Sequence, residues 1–171
     1  MTASPQEQAP RMPTQRRLVA DLLIKKAFKL AAAESCTGGM ISAACTDLAG
    51  SSDWFERGFV TYANEAKTDM LGVAPVLLQR FGAVSEPVAR AMVLGALAHS
   101  QAQVAVAVTG VAGPSGGSLE KPVGTVWFGF ALPGRVVTES MHFDGDRATV
   151  RAATVQHTFT RLADLLNESL D

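Results

Sequence analysis

One segment of the chain decides the fold, because in it an apolar run turns through small residues into a helical segment. Its sequence is Leu30-Ala31-Ala32-Ala33-Glu34-Ser35-Cys36-Thr37-Gly38-Gly39, and the helical residues 40–45 follow it. A strand that enters a helix through such a turn leaves several backbone N–H groups without partners inside the helix. These donors, with the positive end of the helix dipole, suit a phosphate or a developing oxyanion. The segment therefore predicts an α/β protein with a site at this turn.

Helical and strand patterns alternate on both sides of this turn. Leucines recur at helical spacing after Pro13-Thr14, which predicts a helix through Phe28, and a buried strand follows over 29–34. The helix after Gly38-Gly39 is predicted to end near Asp47. The remaining predicted elements are a strand over 54–62, a helix over 64–71 that stops at Gly72, a helical turn over 75–81, a helix capped by Ser85 and ending near His99, a strand over 104–109, a loop over 110–122, a hairpin of strands 123–132 and 136–143, and a last helix over 147–170.

The order of these elements predicts the fold class. Early strand–helix–strand alternation builds parallel pairs, and the late hairpin adds antiparallel ones. The continuous apolar run at 104–109 is typical of a central strand covered on both faces. We expect an α/β fold on a mixed, mostly parallel sheet with helices on both faces and a late antiparallel hairpin.

Composition and charge limit the class of protein. The chain has 171 residues, of which 47% are hydrophobic and 18% charged, as expected for one globular domain. A net charge of -1 creates no general basic field, so no nucleic-acid partner is expected. The apolar runs are too short to span a bilayer, so no membrane partner is expected. Residues 1–13 are rich in Pro, Gln and Ala and predict a disordered extension before a single domain over 14–171.

Two cysteines give information on redox environment and metal binding. Cys36 and Cys45 match no zinc spacing, so no metal is expected. Residues 1–13 lack the apolar core of a secretory signal. We therefore expect reduced thiols and a cytoplasmic protein.

Ser35 is the first candidate for chemistry. A serine at a strand-to-helix turn can simply cap the helix, but the glycine pair after it lets a ligand approach the backbone closely. An unactivated serine needs a partner base. The histidines are poorly placed for that role, lying at a helix end, in a strand and in the last helix, at His99, His142 and His157. Lys67 remains as the base if burial lowers its pKa, and its alternative is a solvated helix lysine.

Residues near Lys67 and at the end of the central strand complete the candidate site. Tyr62 is predicted to position the ammonium of Lys67 or to relay a proton, and Asn64 to cap the helix that carries Lys67. Thr109 and Gly110 end the central strand, where ligands bind in open α/β sheets. Thr109 is expected to bind substrate or to orient Lys67. Serine, lysine and a glycine-rich turn together indicate an amide or ester hydrolase.

Two other groups compete with this interpretation. Cys36 is the rival nucleophile, because a thiol pKa can fall at a helix N-terminus. Asp146, Arg147 and Arg151 form a charged cluster at the start of the last helix. The cluster is expected to bind a phosphate, to make a subunit contact or to be only a charged first turn.

Seven segments together resemble one known family. They are Ala33-Glu34-Ser35-Cys36-Thr37-Gly38-Gly39, Ala49-Gly50-Ser51-Ser52 with Trp54-Phe55, Gly58-Phe59-Val60-Thr61-Tyr62-Ala63-Asn64-Glu65-Ala66-Lys67, Gly82-Ala83-Val84-Ser85-Glu86-Pro87-Val88-Ala89, Thr109-Gly110-Val111-Ala112-Gly113-Pro114, Lys121-Pro122-Val123-Gly124-Thr125-Val126 and Gly145-Asp146-Arg147. In this order they resemble the CinA C-terminal-domain family, the bacterial nicotinamide-nucleotide amidases. The resemblance covers nearly everything from residue 14 onward.

The resemblance implies hydrolysis of the carboxamide of nicotinamide mononucleotide to nicotinate mononucleotide and ammonia, in pyridine nucleotide salvage. The family's serine falls on Ser35 and its lysine on Lys67, while Tyr62 and Thr109 match further active-site positions. It also implies a three-layer α/β/α sandwich, the stand-alone form of the domain, and no metal or cofactor. The residues expected to contact the substrate are Cys36, Thr37, Gly38, Gly39, Asn64, Gly110 and Arg147.

Several alternatives stay open at this point. The turn at Gly38-Gly39 could serve the oxyanion or the phosphate. If it holds phosphate, the oxyanion donors must come from elsewhere, for which Thr109-Gly110 is a candidate. Arg147 or Arg151 is then less necessary for the phosphate. A non-catalytic nucleotide-binding module linked to competence is the second function class, and a thiol enzyme using Cys36 is the third. The apolar content and the long last helix predict a homodimer.

Overall fold

The computed structural model describes residues 12–168 of the chain. Residues 1–11 of the predicted disordered extension lie outside the described residues. Residues 12 and 13, which the prediction assigned to that extension, are already helical. The first helix therefore begins one to two residues earlier than the sequence indicated.

The described residues form helices and strands in nearly the predicted order. They are α1 (Met12–Lys26), β1 (Leu30–Glu34), α2 (Met40–Thr46), a 3₁₀ turn (Ser51–Asp53), β2 (Phe55–Val60), α3 (Asn64–Leu71), α4 (Pro75–Phe81), α5 (Glu86–Ala98), β3 (Val104–Gly110), β4 (Thr125–Leu132), β5 (Arg135–His142) and α6 (Arg147–Glu168).

Local capping explains where some of these elements end. α1 ends two residues before the predicted Phe28, because Ala27 adopts a left-handed φ of 55° and the Phe28 N–H donates back to the Leu23 carbonyl at 2.9 Å. α3 stops at Gly72 as predicted, and this glycine is left-handed. Ser85 is the N-cap residue of α5 as predicted, but its side chain makes no capping bond, since its hydroxyl donates to the Gly82 carbonyl at 2.8 Å.

The sheet has the order β2-β1-β3-β4-β5. β1 pairs in parallel with both β2 and β3, whereas β4 is antiparallel to β3 and to β5. Four of these five strands consequently run in one direction, and β4 runs in the other. The predicted mixed sheet with a late antiparallel hairpin is confirmed.

Helices cover both faces of the sheet and make a three-layer α/β/α sandwich. The central strand β3 shows the division, because alternate side chains of a strand point to opposite faces. Val104, Val106 and Val108 belong to one buried cluster, which includes residues of α1, α2 and α6. Ala105 and Ala107 belong to the other, which includes residues of α5. The parallel strands β1, β2 and β3 end at the same edge of the sheet, where open α/β folds place their sites.

Candidate active site

Ser35 lies in a tight turn directly after β1. Its N–H donates to the Val108 carbonyl of β3 at 3.1 Å, and its own carbonyl accepts the Gly38 N–H at 3.1 Å. Gly38 and Gly39 have φ values of 57° and 105°, in the left-handed region that glycine adopts without strain. These bonds hold Ser35 at the carboxyl edge of the sheet with 8% of its surface exposed.

Glu34, which the sequence analysis did not single out, caps the helix after the turn. Its buried Oε1 accepts the Thr37 hydroxyl at 2.7 Å and the Ile41 N–H at 2.8 Å. Its Oε2 accepts the Ser42 N–H at 3.0 Å and the Ser42 hydroxyl at 2.8 Å. A protein carboxylate thus occupies the amino end of α2. The N–H groups of Ile41 and Ser42 are therefore not free to serve a phosphate or an oxyanion.

Arg151 holds the same turn from the side of α6. Its Nε donates to the Cys36 carbonyl at 3.0 Å and its Nη2 to the Thr37 carbonyl at 3.2 Å. Asp146 accepts the N–H and hydroxyl of Thr149 and so caps α6. Arg151 therefore has a structural role that the sequence analysis did not predict, since its guanidinium binds the backbone of the turn.

Lys67 is a buried lysine that reaches Ser35. It lies in α3 with 1% of its surface exposed, which rules out the solvated alternative. Its Nζ lies 3.1 Å from the Ser35 Oγ, 2.8 Å from the Thr61 carbonyl and 3.1 Å from the Tyr62 carbonyl. The sequence could not show this contact, because it depends on how α3 packs beside the end of β1.

The surroundings of Lys67 favour a neutral amine. Burial lowers the pKa of Lys67, an effect that the negative charge of Glu65 opposes only in part. A neutral amine has two N–H donors and one lone pair. The carbonyls of Thr61 and Tyr62 accept the two N–H groups, so the lone pair can accept the Ser35 hydroxyl. The arrangement can therefore deprotonate Ser35.

Tyr62 and Thr109 lie at the site but do not act on Lys67 as predicted. The Tyr62 hydroxyl accepts a hydrogen bond from the Arg147 Nη2 at 3.3 Å, so it is the backbone carbonyl of Tyr62 that positions the lysine. The Thr109 hydroxyl donates to the Ala83 carbonyl at 2.9 Å. Proton relay by Tyr62 and orientation of Lys67 by Thr109 are consequently not supported.

A cavity of about 260 Å³ opens over Ser35 and Lys67. Its walls come from the ends of β1 and β3, from the segment between β2 and α3, and from α6. They are formed by Ser35, Cys36, Tyr62, Asn64, Lys67, Ala83, Val84, Thr109, Gly110, Ala112 and Arg147. Ala83, Val84 and Ala112 are additions to the predicted site, and their apolar side chains carried no signal of chemistry.

Three of the predicted substrate contacts lie away from the cavity, and one predicted helix cap is not formed. Thr37, Gly38 and Gly39 do not line the cavity, because the turn is bonded to Glu34 and Arg151 instead. Asn64 lines the cavity but does not cap α3. It is the first residue of that helix, and its N-cap residue makes no side-chain bond.

Arg147 brings a positive charge to the wall of the cavity. It is the first residue of α6, and its Nη1 donates to the Gly113 carbonyl at 2.9 Å while Nη2 donates to Tyr62. A guanidinium carries five N–H donors in a planar fork, which leaves donors for a ligand. The side chain can therefore meet an anionic group of a molecule that reaches Ser35.

Comparison with known proteins identifies the family. The family model described as the CinA C-terminal domain matches residues 13–166. The chain belongs to the CinA C-terminal domain family.

Named relatives align with most of the chain. The nicotinamide-nucleotide amidohydrolase PncC of Enterobacter agglomerans is 59% identical over 127 residues, which are 74% of this chain and 77% of that protein. The protein of the same name from Escherichia coli K12 is 54% identical over 76% of this chain and 79% of its own length. A crystal structure of the competence/damage inducible protein CihA from Agrobacterium tumefaciens has a TM-score of 0.86 at 46% identity, with 98% of this chain and 99% of that chain covered.

The thiol alternative does not fit this CinA C-terminal domain. Burial raises the pKa of Cys36 to about 11, opposite to the decrease expected at a helix N-terminus. Burial raises the pKa of Cys45 as well. At neutral pH both side chains are thiols rather than thiolates, so neither is an activated nucleophile.

The histidines of this CinA C-terminal domain are bonded away from the cavity. The ring nitrogens lie within hydrogen-bond distance of the Gly95 carbonyl for His99, the Val123 carbonyl for His142 and the Glu139 carboxylate for His157. Within residues 12–168, no group of three or more His, Cys, Asp or Glu side chains is placed to hold a metal ion. Over the same residues, no helix is long and apolar enough to cross a membrane.

Proposed function

We propose that the chain is an amidohydrolase that converts nicotinamide mononucleotide to nicotinate mononucleotide and ammonia, with Ser35 as nucleophile and Lys67 as base. The observation that carries the proposal is the distance of 3.1 Å between Lys67 Nζ and Ser35 Oγ, with the lysine buried. Relatives named nicotinamide-nucleotide amidohydrolase support the substrate class. The proposal also assigns the reaction to pyridine nucleotide salvage, because its product is a pyridine mononucleotide.

Acylation begins with proton transfer inside the buried pair. The neutral Lys67 takes the proton of the Ser35 hydroxyl as Oγ attacks the carbon of the carboxamide. The C–N bond of the tetrahedral intermediate then breaks, and the protonated Lys67 gives its proton to the departing nitrogen, which leaves as ammonia. Ser35 is left as an ester of the nicotinate group, and Lys67 is neutral again.

In deacylation Lys67 is again the base, and a water molecule takes the place of the serine hydroxyl. Lys67 takes a proton from a water molecule as the water oxygen attacks the ester carbon of the acyl-Ser35. The bond to Oγ then breaks, and the lysine returns its proton to the serine. The products are a carboxylic acid and the starting enzyme, so the cycle needs no metal ion or cofactor.

The backbone N–H of Cys36 is the donor that we assign to the oxyanion. Cys36 follows Ser35 and lines the cavity. In the described residues its N–H donates to no other residue, whereas the Ser35 N–H is bonded to Val108. A backbone donor aimed at the developing oxyanion often supplies a large part of the rate enhancement. The N–H groups of Ile41 and Ser42 in α2 are bonded to Glu34 and so do not compete for this role.

Arg147 is the group that we assign to the phosphate. It lines the cavity, whereas Arg151 does not, and its two hydrogen bonds leave further N–H donors for a ligand. Guanidinium groups bind phosphate oxygens through paired, charge-assisted hydrogen bonds. The nucleotide would then lie between the Ser35–Lys67 pair and the start of α6.

The first test is ammonia release from nicotinamide mononucleotide by the wild type and by Ser35→Ala, with nicotinamide riboside as a parallel substrate. Release by the wild type and none by the variant is the expected result. A preference for the mononucleotide over the riboside would support recognition of the phosphate. No release by the wild type from either compound would overturn the proposal and leave the non-catalytic nucleotide-binding module.

A further inference from the structure

Glu34 connects three segments that meet at the Ser35–Lys67 pair. Its carboxylate is completely buried and accepts four hydrogen bonds from the turn and the first residues of α2. Its backbone joins it directly to Ser35. The proposed chemistry uses neither of its carboxylate oxygens, so the burial of a charge next to the nucleophile needs another explanation.

The backbone of Glu34 also connects to the segment that positions the lysine. The Glu34 carbonyl accepts the Thr61 N–H at 2.8 Å. The Thr61 carbonyl in turn accepts the Lys67 Nζ at 2.8 Å. Ser35 and Lys67 are thus both held from one residue, Ser35 through the covalent chain and Lys67 through Thr61.

We propose that Glu34 is a positioning residue for the reaction, whose carboxylate fixes the turn so that the Ser35 hydroxyl stays within hydrogen-bond distance of Lys67. This inference rests on the proposed function of the pair. Glu34 does not line the cavity, so it acts through the turn and not on the substrate. A burial cost for a charge is offset when several donors surround it, as they do here.

The four donors explain why a carboxylate is needed at this position. Each oxygen accepts one backbone N–H, from Ile41 or from Ser42, and one hydroxyl, from Thr37 or Ser42. A glutamine has one oxygen and one NH₂ group. In either orientation its NH₂ would face a backbone N–H of α2, and two donors cannot pair. Glu34→Gln therefore keeps the shape of the side chain but loses the hydrogen bond to one backbone N–H of α2.

The expected effect is on turnover and not on substrate binding. A misplacement of about 1 Å in a reacting group can cost about 100-fold in rate. We expect Glu34→Gln to lower kcat by about 10- to 100-fold and to leave KM within about twofold of the wild type. A purely structural cap would lower the folded fraction, but folded molecules would keep the wild-type kcat.

The matched control is Glu139→Gln. Glu139 lies in β5, which β3 and β4 separate from β1, and its carboxylate contacts His157 at 2.7 Å and Arg161 at 3.1 Å. The control therefore removes a partly buried, paired carboxylate without touching the turn. We expect Glu139→Gln to lower the Tm and to leave kcat per folded molecule unchanged.

The experiment measures kcat and KM for nicotinamide mononucleotide and the rate at which a sulfonyl fluoride labels Ser35, read by mass spectrometry, for the wild type and both variants. Slower labelling and lower kcat in Glu34→Gln alone are expected. Equal losses of kcat in both variants, or wild-type values in Glu34→Gln, would overturn the inference. If the wild type labels but releases no ammonia, the proposed substrate fails, and the labelling rates still decide the role of Glu34.

A second variant keeps the test decisive if Glu34→Gln does not fold. Thr37→Val keeps the shape of the side chain and removes one hydroxyl that serves only the Glu34 carboxylate. We expect a smaller loss of kcat, about two- to tenfold, with KM unchanged. Wild-type kcat in Thr37→Val together with an unfolded Glu34→Gln would count against positioning and leave a structural cap.

Discussion

Lys67 Nζ lies 3.1 Å from Ser35 Oγ, although the two residues are 32 positions apart in the chain. The contact forms because Ser35 follows β1, while Lys67 belongs to α3, which follows the adjacent parallel strand β2. Two backbone carbonyls fix the lysine amine from the other side. The pair is thus assembled by the topology of the sheet and not by any local sequence motif.

Replacement of the lysine tests the base directly. Lys67→Met keeps the length of the side chain without an amine, so we expect kcat to fall by at least about 100-fold, the low end of the contribution of a general base. The variant should remain folded, because an apolar group suits the buried position. Ammonia release and thermal unfolding measure the two quantities. Residual activity within tenfold of the wild type would exclude Lys67 as the base.

The pH dependence of activity should report the pKa of Lys67. Since only the neutral amine can take the proton of Ser35, kcat/KM should rise with pH through the lowered pKa of Lys67 and level off before its ordinary value of about 10.4. Measurements above pH 7 avoid the second ionisation of the substrate phosphate, whose pKa is about 6. Cys36→Ala should show the same rise, which would separate the lysine from the thiol. A rise centred on the ordinary value of about 10.4 would contradict a lowered pKa of Lys67.

The same shift predicts how stability depends on pH. The pKa of Lys67 is lower in the folded than in the unfolded chain, so below the folded pKa the native state carries the full cost of a buried ammonium. Between that pKa and about 10.4 the unfolded chain binds one more proton, and the free energy of unfolding rises with pH. Lys67→Met should lack this rise, whereas Lys25→Met, at an exposed position, should keep it. Urea unfolding at several pH values measures it, and parallel curves for the wild type and Lys67→Met would contradict it.

Much of the fold and part of the site could be predicted from the sequence. The apolar run of β3, the glycine that ends α3 and the hairpin at 125–142 carry local signals, which the structure follows. Ser35 and Lys67 were predicted from residue type and position. A cytoplasmic location and a homodimer stay predictions.

The roles of individual polar groups could not be predicted in the same way. Glu34 was missed because a glutamate at the end of an apolar strand carries no local signal that its carboxylate will turn back to α2. The Thr109 hydroxyl bonds to the Ala83 carbonyl, 26 positions away, and the Arg151 guanidinium bonds to carbonyls more than 100 positions away. Such partners are set by tertiary packing, which neither periodicity nor spacing reports.

Replacement of Cys36 separates the thiol from the backbone at the same position. Cys36→Ala removes a buried thiol whose pKa is about 11 but keeps the backbone N–H assigned to the oxyanion. We expect a loss of less than about tenfold in kcat, since only packing around the turn changes. Ammonia release measures it, with alkylation by iodoacetamide at pH 7 as a check that the wild-type thiol is unreactive. Inactivity of Cys36→Ala with activity of Ser35→Ala would reverse the assignment of the nucleophile.

Replacement of Arg147 tests the assignment of the phosphate. Arg147→Ala removes the cation at the cavity wall, so KM for nicotinamide mononucleotide should rise by about tenfold, because a hydrogen bond to a charged group contributes about 1.5 kcal/mol or more. KM for the riboside, which has no phosphate, should change less than twofold. Arg90→Ala is the control, since Arg90 is a surface arginine paired with Glu86 in α5. Equal increases for both substrates would mean that Arg147 holds the shape of the cavity through Gly113 and Tyr62, and the phosphate would need another partner.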